Sequence, residues 1–151
     1  KEQEKEKRIE QRQLAKERIP VIAKSLLESK PGTITIDNIT MELADSGKAN
    51  FCYSTSDNYD DVFHIGLGEA LCKADPKLVY CGLFEQGEKI RVIVYAGENI
   101  SKEKSAGEIV KSISQILGGA GGGSPKFAQG GGIDKSKKED AIKNAKSMII
   151  E

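Results

Sequence analysis

An α/β fold, with a mixed or antiparallel β-sheet packed by helices, is predicted by three features of this 151-residue chain. Leu78–Phe84 and Ile90–Ala96 are rich in Val, Ile, Leu and Tyr and flank a polar Glu-Gln-Gly-Glu-Lys step, which reads as a hairpin. Amphipathic helical patterns over 57–73, 105–117 and 136–149 alternate with such strand-like runs. Eight of the 16 glycines fall between Gly118 and Gly132, where they separate the last two helices.

The elements follow in order. Residues 1–30 read as a helical segment, highly charged at first, with Ile19, Ile22, Ala23, Leu26 and Leu27 at helical spacing. Pro20 should kink or restart it, because proline lacks an N–H and crowds the preceding turn. Pro31-Gly32 ends the segment, and the globular part is expected over 31–151. In TITIDNITMEL, Ile34, Ile36, Ile39, Met41 and Leu43 alternate around Asp37-Asn38, giving strand with a bulge or tight turn at that step. Asn50–Ser54 is a further short strand. Ser56 with Asp57 is positioned to cap the helix that follows, which Gly66 and Gly68 weaken. Ser105 with Glu108, and Ser136 with Glu139, have capping-box spacing for the later helices. Their apolar faces (Ile109, Val110, Ile113, Ile116, Leu117; then Ala141, Ile142, Ala145, Met148, Ile149) are read as core.

Charge is balanced in total and uneven in place. The net charge is zero, yet residues 101–151 carry nine lysines against six acids, and Asp37–Asp61 carries six acids against Lys48 alone. No apolar run reaches the length of a membrane span and no signal-peptide pattern appears, so a cytoplasmic location without membrane contact is expected. The chain begins with Lys, and a fragment of a longer protein is expected. Cys52, Cys72 and Cys81 lie in apolar runs without CxxC spacing, which favours buried thiols over a metal site or disulfides. His64 has no partner at ligand or catalytic spacing. Asp60-Asp61 is read as a helix-start pair, and the residues offer no enzyme signature.

The glycine segment GGAGGGSPKFAQGGG raises a choice between a flexible linker and an ordered loop whose backbone must approach another surface. Pro125 and Phe127 in its middle, and docked helices on both sides, favour the ordered loop. It fails as a P-loop, because Gly123 is followed by Ser124-Pro125-Lys126, and as a dinucleotide fingerprint, because Ser124 stands where the third glycine belongs. Gly66-Leu-Gly68-Glu-Ala-Leu71 fails likewise at Leu71. Glycine amides with Lys126 inside the loop and Lys135, Lys137 and Lys138 after it suit anion contacts. Close helix–sheet packing with solvated lysines is the equal alternative.

SAGEIVKSISQILGGAGGGSPKFAQGGG, followed by a short helix, resembles the C-terminal domain of alanyl-tRNA synthetase, in its archaeal form, and is related to the domain attached to DHH phosphoesterases. The latter carries a histidine after its glycine pair, where this chain has Ser124-Pro125; many synthetases carry Arg at the Ser124 position. The resemblance implies a non-catalytic domain for dimerisation and for binding the elbow of alanine tRNA. Aminoacylation and editing, with ATP, Mg and a Zn site, are then expected in other domains of the parent ligase. It also implies roles for Lys126 and Gln129, and for Gly118, Gly119, Gly121, Gly122, Gly123, Pro125, Gly130, Gly131 and Gly132, in loop shape and RNA or interface contacts. Lys102, Lys104, Lys137 and Lys138 become phosphate candidates. Ile19, Ile22, Leu26 and Leu27 become dimer-interface candidates, with intradomain core as the equal alternative. A phosphoesterase substrate-binding domain is the second reading.

Overall fold

The computed structural model describes residues 13, 17, 19–21, 24, 32–36, 39–45, 50–56, 61–102 and 105–149. The described N-terminal residues, Pro20 among them, are helical. Strands β1 (Gly32–Ile36), β2 (Ile39–Asp45), β3 (Asn50–Ser56), β4 (Leu78–Gln86), β5 (Lys89–Ala96), β6 (Ala120–Gly123) and β7 (Phe127–Gly132) form one sheet ordered β1-β2-β3-β4-β5-β7-β6. Helix α1 (Asp61–Ala74) connects β3 to β4, α2 (Ala106–Ile116) connects β5 to β6, and α3 (Lys138–Ile149) follows β7.

The sheet is mixed. Strands β3 and β4 run parallel, and the remaining neighbours are antiparallel. A parallel pair needs a crossover, and α1 supplies it. The Asp37-Asn38 step falls where a tight turn belongs, since Ile36 pairs with Ile39. Glu85 and Gln86 continue β4, so the second hairpin turns on Gly87-Glu88, with Gly87 at φ +64°.

Alternation along β3, β4 and β5 sorts the core onto both faces. Phe51, Val79, Cys81, Leu83, Ile90, Val92 and Val94 pack with Ile109, Val110 and Ile113 of α2 and Ala141, Ala145 and Ile149 of α3. The other face carries buried Cys52, Ser54, Leu78, Tyr80, Phe84 and Ile93. Helix α1 lies over β4 and β5. It sits low: a Cβ on Gly68 would stand 2.8 Å from the Tyr80 ring and 2.9 Å from Tyr95 Cβ. The glycine read as a helix weakness is therefore what lets α1 reach the sheet.

Three local expectations are corrected. Ser56 belongs to β3 and α1 begins at Asp61, so Ser56 does not stand next to the start of that helix, and Asp57 lies outside the described residues. Ser105 occupies the N-cap position of α2, yet its side chain makes no cap bond. The first amides of that helix donate instead to backbone carbonyls, Ala106 N–H to Pro125 (2.9 Å) and Gly107 N–H to Ser124 (3.2 Å). Before α3, Asp134 replaces Ser136 as the capping residue, with its carboxylate accepting from the Ser136 N–H at 3.2 Å.

Candidate nucleic-acid interface

The glycine segment is ordered, and it is not a loop. Its two glycine runs are strands β6 and β7, paired Ala120↔Gly131 through Gly123↔Ala128, with β7 also paired to β5. Isolated glycine runs make poor strands. Here α2 imposes the geometry. A Cβ on Gly121 would stand 2.5 Å from Val110 Cγ1, and one on Gly130 would stand 2.3 Å from Ser114 Oγ and 2.8 Å from Val110 Cγ1. Any side chain at either position would push the helix off the sheet.

Both ends of α2 are fastened to this hairpin. The N-terminal amides bond to the Ser124-Pro125 turn as described above. At the C-terminus, Gly118 takes φ +77°, its N–H bonds to the Gln115 carbonyl (3.2 Å), and the Gly119 N–H bonds to the Ser114 carbonyl (2.8 Å). That pattern is a Schellman cap. The Leu117 carbonyl then accepts from Ile133 (3.0 Å) and Asp134 (2.9 Å), just beyond β7. Ser124 closes the turn: its hydroxyl donates to the Phe127 carbonyl and accepts from the Phe127 N–H, both at 3.1 Å.

This arrangement revises the role expected for the glycine amides. Those of β7 are committed to β5 and β6, so amide donors remain available only along the outer edge of β6. What the hairpin does present is a face. Paired residues share a side of a sheet, so Arg91, Tyr95, Phe127, Gln129, Ala120 and Gly122 lie on the side opposite α2. Among the described elements, α1 covers β4 and β5 on that side and stops short of β7 and β6. Ala120 and Gly122 are exposed, and Arg91, Phe127 and Gln129 are half-buried. The Arg91 guanidinium donates to Gln129 Oε1 at 3.4 Å. A cavity of about 360 Å³ lies at this end, lined by Lys89, Arg91, Gln129, Gly131 and the Gly118-Gly119 cap among others, with no acidic side chain in its wall.

The lysines predicted as phosphate contacts divide between the two ends of the hairpin. Exposed Lys126 lies in the turn, and its carbonyl accepts from Ala96 N–H at 2.8 Å; exposed Lys102 follows β5 at that same end. Lys137 and Lys138 stand at the far end, beside Lys135, whose Nζ donates to the Gly87 carbonyl at 2.6 Å. Six residues of β7 separate the groups, about 20 Å at strand rise. Lys104, Ile22, Leu26 and Leu27 lie outside the described residues. Ile19 is half-buried beside α1, its Cδ1 2.6 Å from where a Cβ on Gly66 would stand. Sequence reasoning missed Arg91 and Lys89. Their signal was two basic residues at i, i+2 on a strand, a spacing that places both on one face.

The buried polar groups on α1's side form a structural network. His64 is fully buried, with Nδ1 2.8 Å from the Tyr80 hydroxyl and 3.2 Å from Ser54 Oγ, and those two hydroxyls bond each other. Its ring stacks on Phe84, with centroids 5.0 Å apart. Burial lowers its pKa to about 3, so the imidazole is neutral. The three cysteines are buried thiols outside any disulfide, as expected, and burial pushes Cys72 and Cys81 up to about 12. Neither is a nucleophile at neutral pH. Among the described residues no three His, Cys, Asp or Glu side chains converge on a metal-sized site.

Fold and surface together define a mixed-sheet α/β module whose glycine hairpin extends the sheet beside Lys89 and Arg91. The DHHA1 domain family model matches residues 49–151, and the chain belongs to that family. It is 44% identical over 150 residues to alanine–tRNA ligase of Nitrosopumilus maritimus, a match covering 99% of this chain and 16% of the ligase. The chain thus spans about a sixth of the length of that relative. Among solved structures, the C-Ala domain from Aquifex aeolicus alanyl-tRNA synthetase shares the fold at a TM-score of 0.68 and 24% identity, over 73% of this chain and 99% of that one. An exopolyphosphatase-related protein from Bacteroides fragilis matches at a TM-score of 0.52 and 13% identity, over 87% of this chain and 34% of that one. The resemblance read from the glycine segment is borne out in family and in fold.

Proposed function

We propose that the chain is a non-catalytic tRNA-binding domain of an alanine–tRNA ligase, and that its RNA surface is the face of the β5–β7–β6 sheet opposite α2. One observation carries the reading: a ligase relative matches nearly the whole chain, and the segment that defines the resemblance builds that face. Lys126, Lys102, Lys89 and Arg91 supply phosphate contacts, which fix position and carry no base information. Binding at the tRNA elbow, homodimerisation, a cytoplasmic setting and an archaeal-type parent that uses ATP, Mg and Zn elsewhere belong to the same reading. A phosphoesterase substrate domain is less favoured, because Ser124 and Pro125 shape the turn where that family places histidine.

Titration of an alanine-specific tRNA transcript at several salt concentrations tests this. Affinity should fall steeply with salt, and Lys126→Ala should weaken binding and reduce the magnitude of the log–log slope by about one. A chain that fails to bind the transcript at low salt overturns the proposal. Sedimentation of the chain tests dimerisation separately, and a strictly monomeric species at high concentration removes that part.

A further inference from the structure

Phe127 is an anomaly in its surroundings. It is the one large apolar side chain in the two hairpin strands, AGGG and FAQGGG. It pairs across the ladder with Tyr95, and the two rings lie 5.6 Å apart at 56°. Phe51, Tyr80 and Phe84 are buried to within a few per cent, whereas Tyr95 and Phe127 stay half-exposed. Tyr95 lies at the margin of α1, its Cβ 2.9 Å from where a Cβ on Gly68 would stand, and Phe127 lies outward of it on β7, beyond the strands that α1 covers. Two half-buried rings on adjacent hydrogen-bonded strands, at the margin of the helix that covers the sheet, leave aromatic surface beside Lys126.

We propose that Tyr95 and Phe127 form a stacking station for an unpaired base, or for the exposed face of a terminal base pair, of the bound RNA. The station sits at the hairpin end that carries Lys126, and a second cavity of about 360 Å³ beside it is lined by Tyr95, Lys126 and Lys73, together with Glu69 and Glu98. Arg91 and Gln129 continue the same face in the other direction. Arg91 lies four residues from Tyr95 along β5, about 13 Å at strand rise. That span matches roughly two to three nucleotides, with phosphates held at the Lys89–Arg91 end and a base at the aromatic end. Between them on that face lie buried Ile93 and half-buried Gln129, with Gly122 beyond on β6, where no side chain stands in the way of an RNA backbone. Duplex RNA hides its base faces within the helix, so a stacking station selects for a loop or a helix end. This inference rests on the tRNA-binding reading and adds which part of the RNA the face engages.

The test uses the full chain and the same tRNA transcript. Phe127→Ala should weaken binding roughly 5- to 150-fold, the range for loss of one base–aromatic stack, while leaving the salt slope unchanged. Phe127→Trp should restore binding and Phe127→Leu should not, because leucine keeps apolar bulk and lacks a ring face. The chain contains no tryptophan, so F127W also reports directly: its fluorescence should be quenched as tRNA is added. Urea denaturation of each variant separates folding from binding. Wild-type binding with F127A and F127L unaffected, or F127W unquenched in the complex, overturns the station and leaves the tRNA-binding reading standing. Failure of the wild type to bind overturns both.

Discussion

The middle of the sheet and its β6 edge are held together by opposite means. Around β3, β4 and β5, interlocking side chains hold the sheet: His64 wedges between Phe84 and the hydroxyls of Ser54 and Tyr80, and aliphatic residues fill the space on both faces. At β6 and β7 there are almost no side chains. There α2 lies against bare backbone and is tied to it at both ends by hydrogen bonds. The comparison teaches that glycine in this chain is a packing residue, chosen so that a helix can sit where a Cβ would stand.

The strongest way to break the comparison is to restore a side chain where α2 touches backbone. Gly130→Val places its Cβ within 2.3 Å of Ser114 Oγ and adds two methyl groups beyond it. Urea denaturation should show a loss of about 3 kcal/mol, at the upper end of overpacking. A loss below about 0.5 kcal/mol would contradict the close packing. Acid probes the other region. His64 is the only histidine, and its pKa falls from about 6.5 unfolded to about 3 folded. The unfolded chain therefore binds the extra proton, and stability is retained above pH 6.5 and lost as pH falls toward 3. The loss should reach about 2 kcal/mol by pH 5. Chemical denaturation at pH 7 and pH 5 measures it, and His64→Gln should flatten that interval.

Smaller effects sharpen the contrast. Ser114 Oγ is buried with no hydrogen-bond partner. Ser114→Ala should therefore leave stability unchanged or raise it by up to about 1 kcal/mol, because removing an unsatisfied hydroxyl removes its desolvation cost. Gly122 is the counterexample among the hairpin glycines. A Cβ there meets only Lys111 Cε at 3.9 Å, an ordinary contact. Gly122→Ala should stabilise by about 0.4–1 kcal/mol by restricting the unfolded chain. The same urea denaturation that measures Gly130→Val measures both.

Side-chain pattern made the first region legible. The β4–β5 hairpin and the core faces of α2 and α3 follow from alternation and helical spacing, and Ile109, Val110, Ile113, Ala141, Ala145 and Ile149 are buried as read. The second region was legible as ordered and illegible as strand. Strand propensity argues against Gly121–Gly123 and Gly130–Gly132, and the force that overrides it comes from α2, which no local window contains. The missed caps have a related cause. Ser105 has the right spacing with Glu108, yet the hairpin turn already supplies the carbonyls that a capping side chain would replace. In the candidate interface, Lys126 and Gln129 stood out because they interrupt glycine. Lys89 and Arg91 did not, because basic residues on the polar side of a strand resemble any solvent-facing positions.

The double fastening of α2 has a kinetic meaning. Every closure it involves falls within residues 106–134, so the helix and the hairpin assemble through short loops of low contact order. Native-state amide exchange should then show this stretch opening and closing as one foldon, separate from the crossover that pairs β3 with β4. The glycine hairpin would then form with α2 first, and the proposed RNA face would be complete only once β5, with Arg91 and Tyr95, pairs with β7.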